Sequence, residues 1–364
     1  MNGPGSASGA AGPQAPALTL ADLDYELPQE LVAQHPVEPR DASRLLVCRR
    51  LGGESEDRSF AELPALLRAG DVLVRNDTRV FPARAFFRRV TGGRIEALFL
   101  RPAGEAGPAE SWEVLLRGRP RAGEGLTSEA LGNAWPLVCE EPLGDGRWRV
   151  ASHGRRSVLD LLGKAGVTPL PPYIHEDLDD PERYQTTYAR VAGSAAAPTA
   201  GLHFTPTLDA TLADAGVTVE TVTLHVGLGT FKPLQQETLA AEHLHSEAYE
   251  VDAVVWARLQ EARAQGRRVV TVGTTSMRTL EHLARTPSSG ASPSVLRGDT
   301  SLFITPGFEF RAVNALITNF HLPRTSLLAL VMAFCGVERT RRLYEHAVEK
   351  RYRFYSFGDA MLAL

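Results

Sequence analysis

The chain is expected to fold as a layered α/β domain carrying an inserted small antiparallel β-barrel. Two changes of texture lead to that expectation. From residue 156 to the C-terminus, helical and strand patterns alternate, as they do where helices cover a sheet. Between 82 and 155 the pattern becomes short alternating segments divided by Gly and Pro clusters, as in a small barrel or sandwich. A length of 364 residues suits one large domain or two unequal ones. The boundaries read as a disordered tail over 1–17, the α/β domain over 18–81 and 156–364, and the barrel over 82–155.

Taken in order, the opening MNGPGSASGAAGPQAPA has no basic start and no apolar run, so it reads as a floppy tail rather than a signal peptide. LPQELVAQHP starts a short helix that His35 and Pro36 stop, and SRLLVCRR is a strand. Residues 60–67 carry helical 3-4 spacing and a stop at Gly70, after which DVLVRN is a buried strand ending in a polar turn at Asp77 and Thr78. The insert offers GRIEALFL, SWEVLLRG, WPLVCE and GRWRVAS as strands. RSVLDLLGKAG is a helix with its glycine stop, TVETVTLHV a strand, VVWARLQEARAQG a helix, RRVVTV a strand and MRTLEHLA a helix. SLLALVMAFCG reads as a buried helix, half as long as the roughly 20 residues that cross a bilayer.

With 43% hydrophobic and 23% charged residues, the composition excludes wholesale disorder and a fibrous role. Cys48, Cys139 and Cys335 are far apart and odd in number, which supports neither a disulfide framework nor a C-x-x-C site and fits a reducing cytoplasm. The same spacing excludes a three-cysteine loop for an iron-sulfur cluster. A net charge of -4 argues against a protein that coats nucleic acid. Locally the balance reverses: residues 75–156 hold 14 Arg, no Lys and 10 acids, so 14 − 10 gives +4. RAFFRRVTGGR, with Arg84, Arg88, Arg89 and Arg94, is the densest cluster, and a solvated strand face is the competing reading.

Four stretches combine loop-forming residues with polar groups that a core does not require: APTAGLHF, TLHVGLGTF, VGTTSMRTLE and LITNFHLPRTSL. Three of them place a histidine, His203, His225 or His321, beside a strand end or turn. Histidine suits proton transfer near neutrality, although a single buried histidine is more often structural. Gly273, Thr274, Thr275 and Ser276 sit at a strand-to-helix turn, where N–H groups converge on anions. Arg278 and Glu281 follow at i and i+3, where an intrahelical ion pair is the plain alternative. His243, His245 and Glu247 have H-x-H-x-E spacing, and HEDLDD at 175–180 is acidic; both read as surface first and cation sites second. Gly227 and Gly229 follow a strand, but the third glycine of a dinucleotide fingerprint is replaced by Lys232, with Pro233 after it. These glycines instead suit a tight turn that a ligand or backbone approaches closely.

Together, PTAGLHF, TLHVGLGTF, HSE, VGTTSMRTLE, LITNFHLPRTSLLALVMAF and YRFYSFGDAML, with LPQELVAQHPVEPRDASRLLV and GDVLVRNDTRVFPAR upstream, closely resemble the S-adenosylmethionine:tRNA ribosyltransferase-isomerase family of queuosine biosynthesis. The resemblance runs from about residue 20 to the C-terminus. It implies an α/β domain with an inserted β-barrel. It also implies transfer of the ribosyl part of S-adenosylmethionine onto a 7-aminomethyl-7-deazaguanine at the wobble position of a tRNA anticodon loop, with rearrangement to an epoxycyclopentanediol and loss of adenine and methionine. S-adenosylmethionine is then a consumed co-substrate, and neither a cofactor nor a metal is expected.

On that resemblance His203 and His321, then His225, are candidates for proton transfer. Arg278 and the turn of Gly273, Thr274, Thr275 and Ser276 are candidates for the methionine carboxylate. Asn76, Asp77, Thr78 and Arg79 fall at the expected domain boundary, and Gly227 and Gly229 at the pocket. Tyr173, Phe231 and Phe320 are stacking candidates, and Arg44 with Arg84, Arg88, Arg89 and Arg94 are candidates for the tRNA backbone. The expected protein is a cytoplasmic monomer with no membrane partner. Three departures stand out: Leu228 where a smaller residue is expected, Asp77 where asparagine is frequent, and a C-terminus soon after GDAML. Two rival classes are a methyltransferase, which lacks its glycine-rich loop here, and a non-catalytic RNA-binding module built on 82–155, which leaves the histidine motifs without a role.

Overall fold

The computed structural model describes residues 18–364 except 51, 104–109, 154–155, 177, 228–233, 242 and 288–293. The predicted tail over 1–17 therefore lies outside the described residues.

Strands β1 (Arg44–Cys48) and β2 (Ser55–Ser59) pair antiparallel. Ser59 and Glu62 then form a capping box that starts a 3-10 turn and α1 (Leu63–Leu66), with Pro64 in the first turn where it costs no helical bond. The predicted helix over 60–67 thus exists but is split in two. β3 (Val72–Asn76) and β4 (Thr78–Val80) lead into the insert, which has β5 (Arg84–Arg89), β6 (Arg94–Pro102), β7 (Glu110–Arg117), β8 (Gly125–Ser128), β9 (Gly132–Gly144) and β10 (Arg147–Ser152).

These six close into a barrel in the order β10-β7-β6-β5-β8-β9. Phe87, Phe99, Trp112 and Trp135 fill its interior. The β9–β10 turn is Asp145-Gly146 with φ of 52° and 76°, the two positive dihedrals that a tight hairpin needs and that Asp-Gly tolerates. Helix α2 (Val158–Ala165), capped by Ser157, puts Val158, Leu161 and Leu162 into the barrel core, so by packing it belongs with the barrel.

The chain continues through β11 (Val191–Ser194), α3 (Pro206–Asp214), β12 (Thr218–Leu224), α4 (Gln236–Ala241), β13 (His243–Asp252), α5 (Ala253–Ala264), β14 (Val269–Val272), α6 (Gly273–Leu283), β15 (Val295–Leu302), β16 (Ala315–Asn319), α7 (Ser326–Cys335), α8 (Val337–Glu349) and β17 (Ala360–Ala363). The main sheet has the order β15-β13-β12-β3-β14-β16-β17-β1-β2, and β12, β3, β14 and β16 run parallel. β3, β14 and β16 are buried at every position, as expected of strands covered on both faces. The protein is thus α/β with an inserted barrel.

Helix α6 is buried at every residue except His282, although it is rich in polar groups. Its hydroxyls turn inward on the helix: Ser276 Oγ donates to the Val272 carbonyl (2.9 Å) and Thr279 Oγ1 to that of Thr275 (3.0 Å). Cys48 and Cys335, distant in sequence, meet in the main core, where each perturbs the other's thiol: the Cys48 pKa is lowered and the Cys335 pKa raised. No helix among the described residues is long and apolar enough to cross a membrane.

Candidate active site

Parallel neighbours end side by side, so β12, β3, β14 and β16 bring Leu224, Asn76, Val272 and Asn319 to one edge of the sheet. Thr78, His225, Gly273 and His321 follow these ends within two residues. Open α/β sheets bind ligands at this edge because the connecting loops part there. His203 joins from the 3-10 turn Thr199–His203, which packs on β16.

The polar turn after β3 is a closed network. Asn76 Nδ2 donates to the Leu224 carbonyl (2.9 Å), and its Oδ1 accepts the Thr78 and Leu224 N–H groups (both 3.1 Å). Buried Asp77 accepts from Thr223 Oγ1 and Arg190 Nη2, both at 2.7 Å, and Arg79 Nη2 donates to Glu182 (2.5 Å). Thr78 Oγ1 meets His225 Nδ1 at 2.9 Å. Burial lowers the His225 pKa. Gly193, at φ +151°, lies flat on that imidazole, where a Cβ would stand 2.6–2.9 Å from ring atoms. These residues therefore hold His225 in one orientation.

His203 is more tightly bound still. Its Nδ1 is 2.7 Å from Ser43 Oγ and its Nε2 3.0 Å from Asn319 Oδ1, while Phe60 stacks on the ring at 4.8 Å. Asn319 Nδ2 donates to the Tyr355 and Ser356 carbonyls (2.8 and 3.3 Å), which fixes Oδ1 toward the histidine. Nε2 must then carry the proton, and Nδ1 accepts from Ser43. Burial, partly opposed by the Asn319 bond, lowers the pKa to about 4.

His321 differs in having one ring nitrogen available. Nε2 lies 2.8 Å from Thr318 Oγ1, and the backbone is pinned by Tyr344 Oη at its N–H (3.0 Å) and Tyr25 Oη at its carbonyl (2.5 Å). Among the described residues Nδ1 takes no hydrogen bond. The ring lines a small cavity of about 30 Å³ with Thr199, Asn319, Tyr173, Tyr355 and Ser356. Burial pushes its pKa down to about 3.

Leu327 joins this cavity to a much larger one of about 710 Å³, lined by Gly227, Glu247, Arg278, His243 and His245, with Asp145 of the barrel hairpin at its edge. Arg278, 5% exposed, pairs with Glu247 of β13 and donates through Nε to the Leu302 carbonyl of β15 (3.0 Å). The other Glu247 oxygen accepts the Gly227 N–H at 2.9 Å. Hence the i, i+3 pair considered from the sequence does not form: Glu281 accepts the N–H groups of Arg311, Ala312 and Val313 and pairs with Arg285. The H-x-H-x-E segment likewise divides, with Glu247 turned to Arg278; among the described residues no three His, Cys, Asp or Glu are grouped to hold a metal.

Gly273, at φ +83°, turns the chain from β14 into α6, and Thr274, Thr275 and Ser276 are buried behind it. Thr275 Oγ1 has no hydrogen-bond partner among the described residues. Tyr173 shares a 2.7 Å hydrogen bond with Ser356 Oγ and packs on Tyr355 at 4.6 Å. Phe320 lies wholly inside a ring cluster with Tyr344, Tyr352 and Phe354. Gly229 and Phe231, with Leu228, fall outside the described residues. Arg44 stacks on Tyr352 (3.6 Å) and donates to the Lys350 carbonyl (2.8 Å). Each of the other candidate arginines carries a glutamate: Arg84 with Glu96 (3.2 Å), Arg88 and Arg94 with Glu129 (3.2 and 3.1 Å), Arg89 with Glu124 (2.6 Å).

Residues 20–363 match the family described as Queuosine biosynthesis protein. The chain belongs to that family. Two relatives, both called S-adenosylmethionine:tRNA ribosyltransferase-isomerase, are those of Rubrobacter xylanophilus, 51% identical over 94% of this chain and 97% of the relative, and of Symbiobacterium thermophilum, 48% identical over 95% and 100%. The crystal structure of S-adenosylmethionine tRNA ribosyltransferase from Thermotoga maritima is similar with a TM-score of 0.55 and 38% identity, over 94% of this chain and all of that one.

Within this queuosine biosynthesis family member, the structure brings the sequence motifs together at one edge of the sheet and adds partners that the motifs did not mark. Ser43 and Glu247 fall outside the four chemistry stretches, and Asn319 sat unremarked inside LITNFHLPRTSL, where an amide next to a candidate histidine was the available signal. Asp145 had only its Asp-Gly turn to mark it.

Proposed function

We propose that the chain is an S-adenosylmethionine:tRNA ribosyltransferase-isomerase acting on tRNA that carries 7-aminomethyl-7-deazaguanine at the wobble position. The observation that carries this reading is the near-full-length identity to relatives of that name, 51% over 94% of the chain. The cavity of about 710 Å³ supports it, since ligand pockets commonly fall between about 300 and 1,000 Å³ and this one lies at the ligand-binding edge of the sheet.

The sulfonium of S-adenosylmethionine acidifies the neighbouring C5′ hydrogen. Loss of that proton expels adenine, the opened sugar is attacked by the aminomethyl nitrogen, and methionine leaves as the ring rearranges. Such a path needs a proton-transferring group, oriented polar groups and a dry cavity. His321 is the proposed proton-transferring group, because its Nδ1 borders a cavity while Nε2 is anchored. His203 is a positioning residue that acts through Asn319. Arg278 faces the methionine carboxylate, and the Glu247 pair sets its direction.

Gly227 has a particular place in this reading. Among the described residues a Cβ there would meet only Glu247 Oε1, at 3.9 Å, so these residues leave room for a side chain. The missing side chain leaves space in the large cavity for S-adenosylmethionine. Gly227→Ala is expected to keep the wild-type melting temperature and raise KM for S-adenosylmethionine about tenfold, one lost close contact in a pocket. An unchanged KM in steady-state assays would remove Gly227 from the binding surface.

To test the function, purified protein is incubated with S-adenosylmethionine labelled in the ribose and with tRNA bearing the deazaguanine precursor. Free adenine and ribose label on the tRNA are expected. Methyl transfer to the tRNA, or label that never leaves S-adenosylmethionine, refutes the proposal.

A further inference from the structure

A second concavity, of about 520 Å³, lies where the barrel meets α2. Its lining includes His153 just beyond β10, Arg156 ahead of α2 and Lys164 in the last turn of α2, against Asn133 and Pro136 of β9. Among the described residues no acidic side chain lines it. All three basic side chains are exposed, and none of them forms an ion pair among the described residues. This contrasts with Arg84, Arg88, Arg89 and Arg94, whose charge is met by glutamates at 2.6 to 3.2 Å. The sequence counted an excess of positive charge in this part of the chain but not where it lies. Cross-strand pairing neutralises the arginines of the barrel wall, whereas Arg156 at this groove, like Arg119 and Arg121 in the β7–β8 loop, forms no ion pair among the described residues.

We infer that this groove is a docking site for the phosphate backbone of RNA. An unpaired, hydrated cation loses little on meeting a phosphate and releases condensed counterions from the nucleic acid, whereas an arginine already bound to glutamate must first give up that partner. Strand β9 links the groove to the large cavity: Asn133 and Pro136 lie near its start, and Asp145 follows its end at the cavity. The separation is roughly 30 Å of strand, close to one turn of a duplex. One RNA arm therefore reaches both places, its backbone at the groove and one extruded base at the sheet edge. The inference rests on the proposed action on tRNA.

The test uses the full chain with His153→Gln, Arg156→Gln and Lys164→Gln combined. All three positions are exposed, so an unchanged melting temperature is expected. Filter binding of a tRNA transcript between 50 and 200 mM salt should show at least tenfold weaker affinity for the triple variant. The slope of log affinity against log salt should fall by about 2, given roughly 0.7 to 0.9 per phosphate contact. Adenine release at saturating tRNA should match wild type, while Arg88→Gln with Arg89→Gln should shift binding less than threefold. Wild-type affinity and slope in the triple variant overturn the inference, as does a larger loss in the Arg88, Arg89 variant. Capture by phosphatidylserine vesicles that depends on the groove, with RNA binding unaffected, overturns it in favour of a membrane. Groove-dependent RNA binding without adenine release sustains the docking site and refutes the proposed reaction; adenine release with groove-independent binding does the reverse.

Discussion

His321→Ala is expected to lower turnover by about 100-fold or more while the protein stays folded, the size of effect that follows loss of an acid-base group. The fold should survive because the links that position this segment are made by its backbone, with Tyr344 Oη at the N–H and Tyr25 Oη at the carbonyl. The accompanying pH behaviour is distinctive. The pKa of His321 is pushed down to about 3, so the ring is neutral in the free enzyme throughout the range above pH 5. It contributes no acid limb to kcat/KM between pH 5 and 8, and a limb near 6.5 that vanishes in His321→Ala would contradict the buried neutral ring. Stability follows the same sign. The folded pKa lies below the unfolded value near 6.5, so the unfolded chain binds the extra proton, and stability present above 6.5 is lost as pH falls toward 3. His203, with its pKa near 4, adds to that loss over the upper part of the same window. His203→Ala should differ from His321→Ala in its stability cost, since it leaves Ser43 Oγ and Asn319 Oδ1 buried without their partner.

The second large effect concerns the Arg278–Glu247 pair. Both side chains are 5% exposed, and the guanidinium also ties α6 to β15 through the Leu302 carbonyl. Removing either member breaks a charge pair that is almost wholly out of water, which costs about 3–5 kcal/mol. Glu247→Gln and Arg278→Met are each expected to show a loss of that size in urea unfolding. The double variant should recover most of it, since neither charge of the pair remains, yet it should stay poorly active because the cavity has lost Arg278. A double variant no more stable than either single one would show that the pair is not the reason for the loss.

Much of this architecture is legible in the sequence because it depends on local pattern. Short alternating segments between glycine and proline clusters marked the barrel, and short apolar or β-branched cores such as VLV in DVLVRN and VVTV in RRVVTV marked the parallel strands. The edge of the sheet where the candidate residues gather was legible for a related reason: polar turns directly after buried strands have few structural uses, so the turn at Asp77 and Thr78 and the stretches TLHVGLGTF, VGTTSMRTLE and LITNFHLPRTSL stood out. What the side chains do at that edge was not legible. His203 and His321 look equivalent in their motifs. One is held at both ring nitrogens by Ser43 and Asn319, which are 160 and 116 positions away, and the other at only one.

Charge followed the same division. Composition established that the 75–156 region carries more arginine than acid, and the hydrophobic periods determined which segments are strands. Only the tertiary structure decided which arginines are free to meet a ligand, because strand register chooses each glutamate's partner. The family and the fold class were therefore carried by the sequence alone, since both rest on motif order and residue period. The pairing of Arg278 with Glu247, the meeting of Cys48 with Cys335 and the different surroundings of three similar histidines needed the fold, because contacts between distant residues depend on packing that no local pattern records.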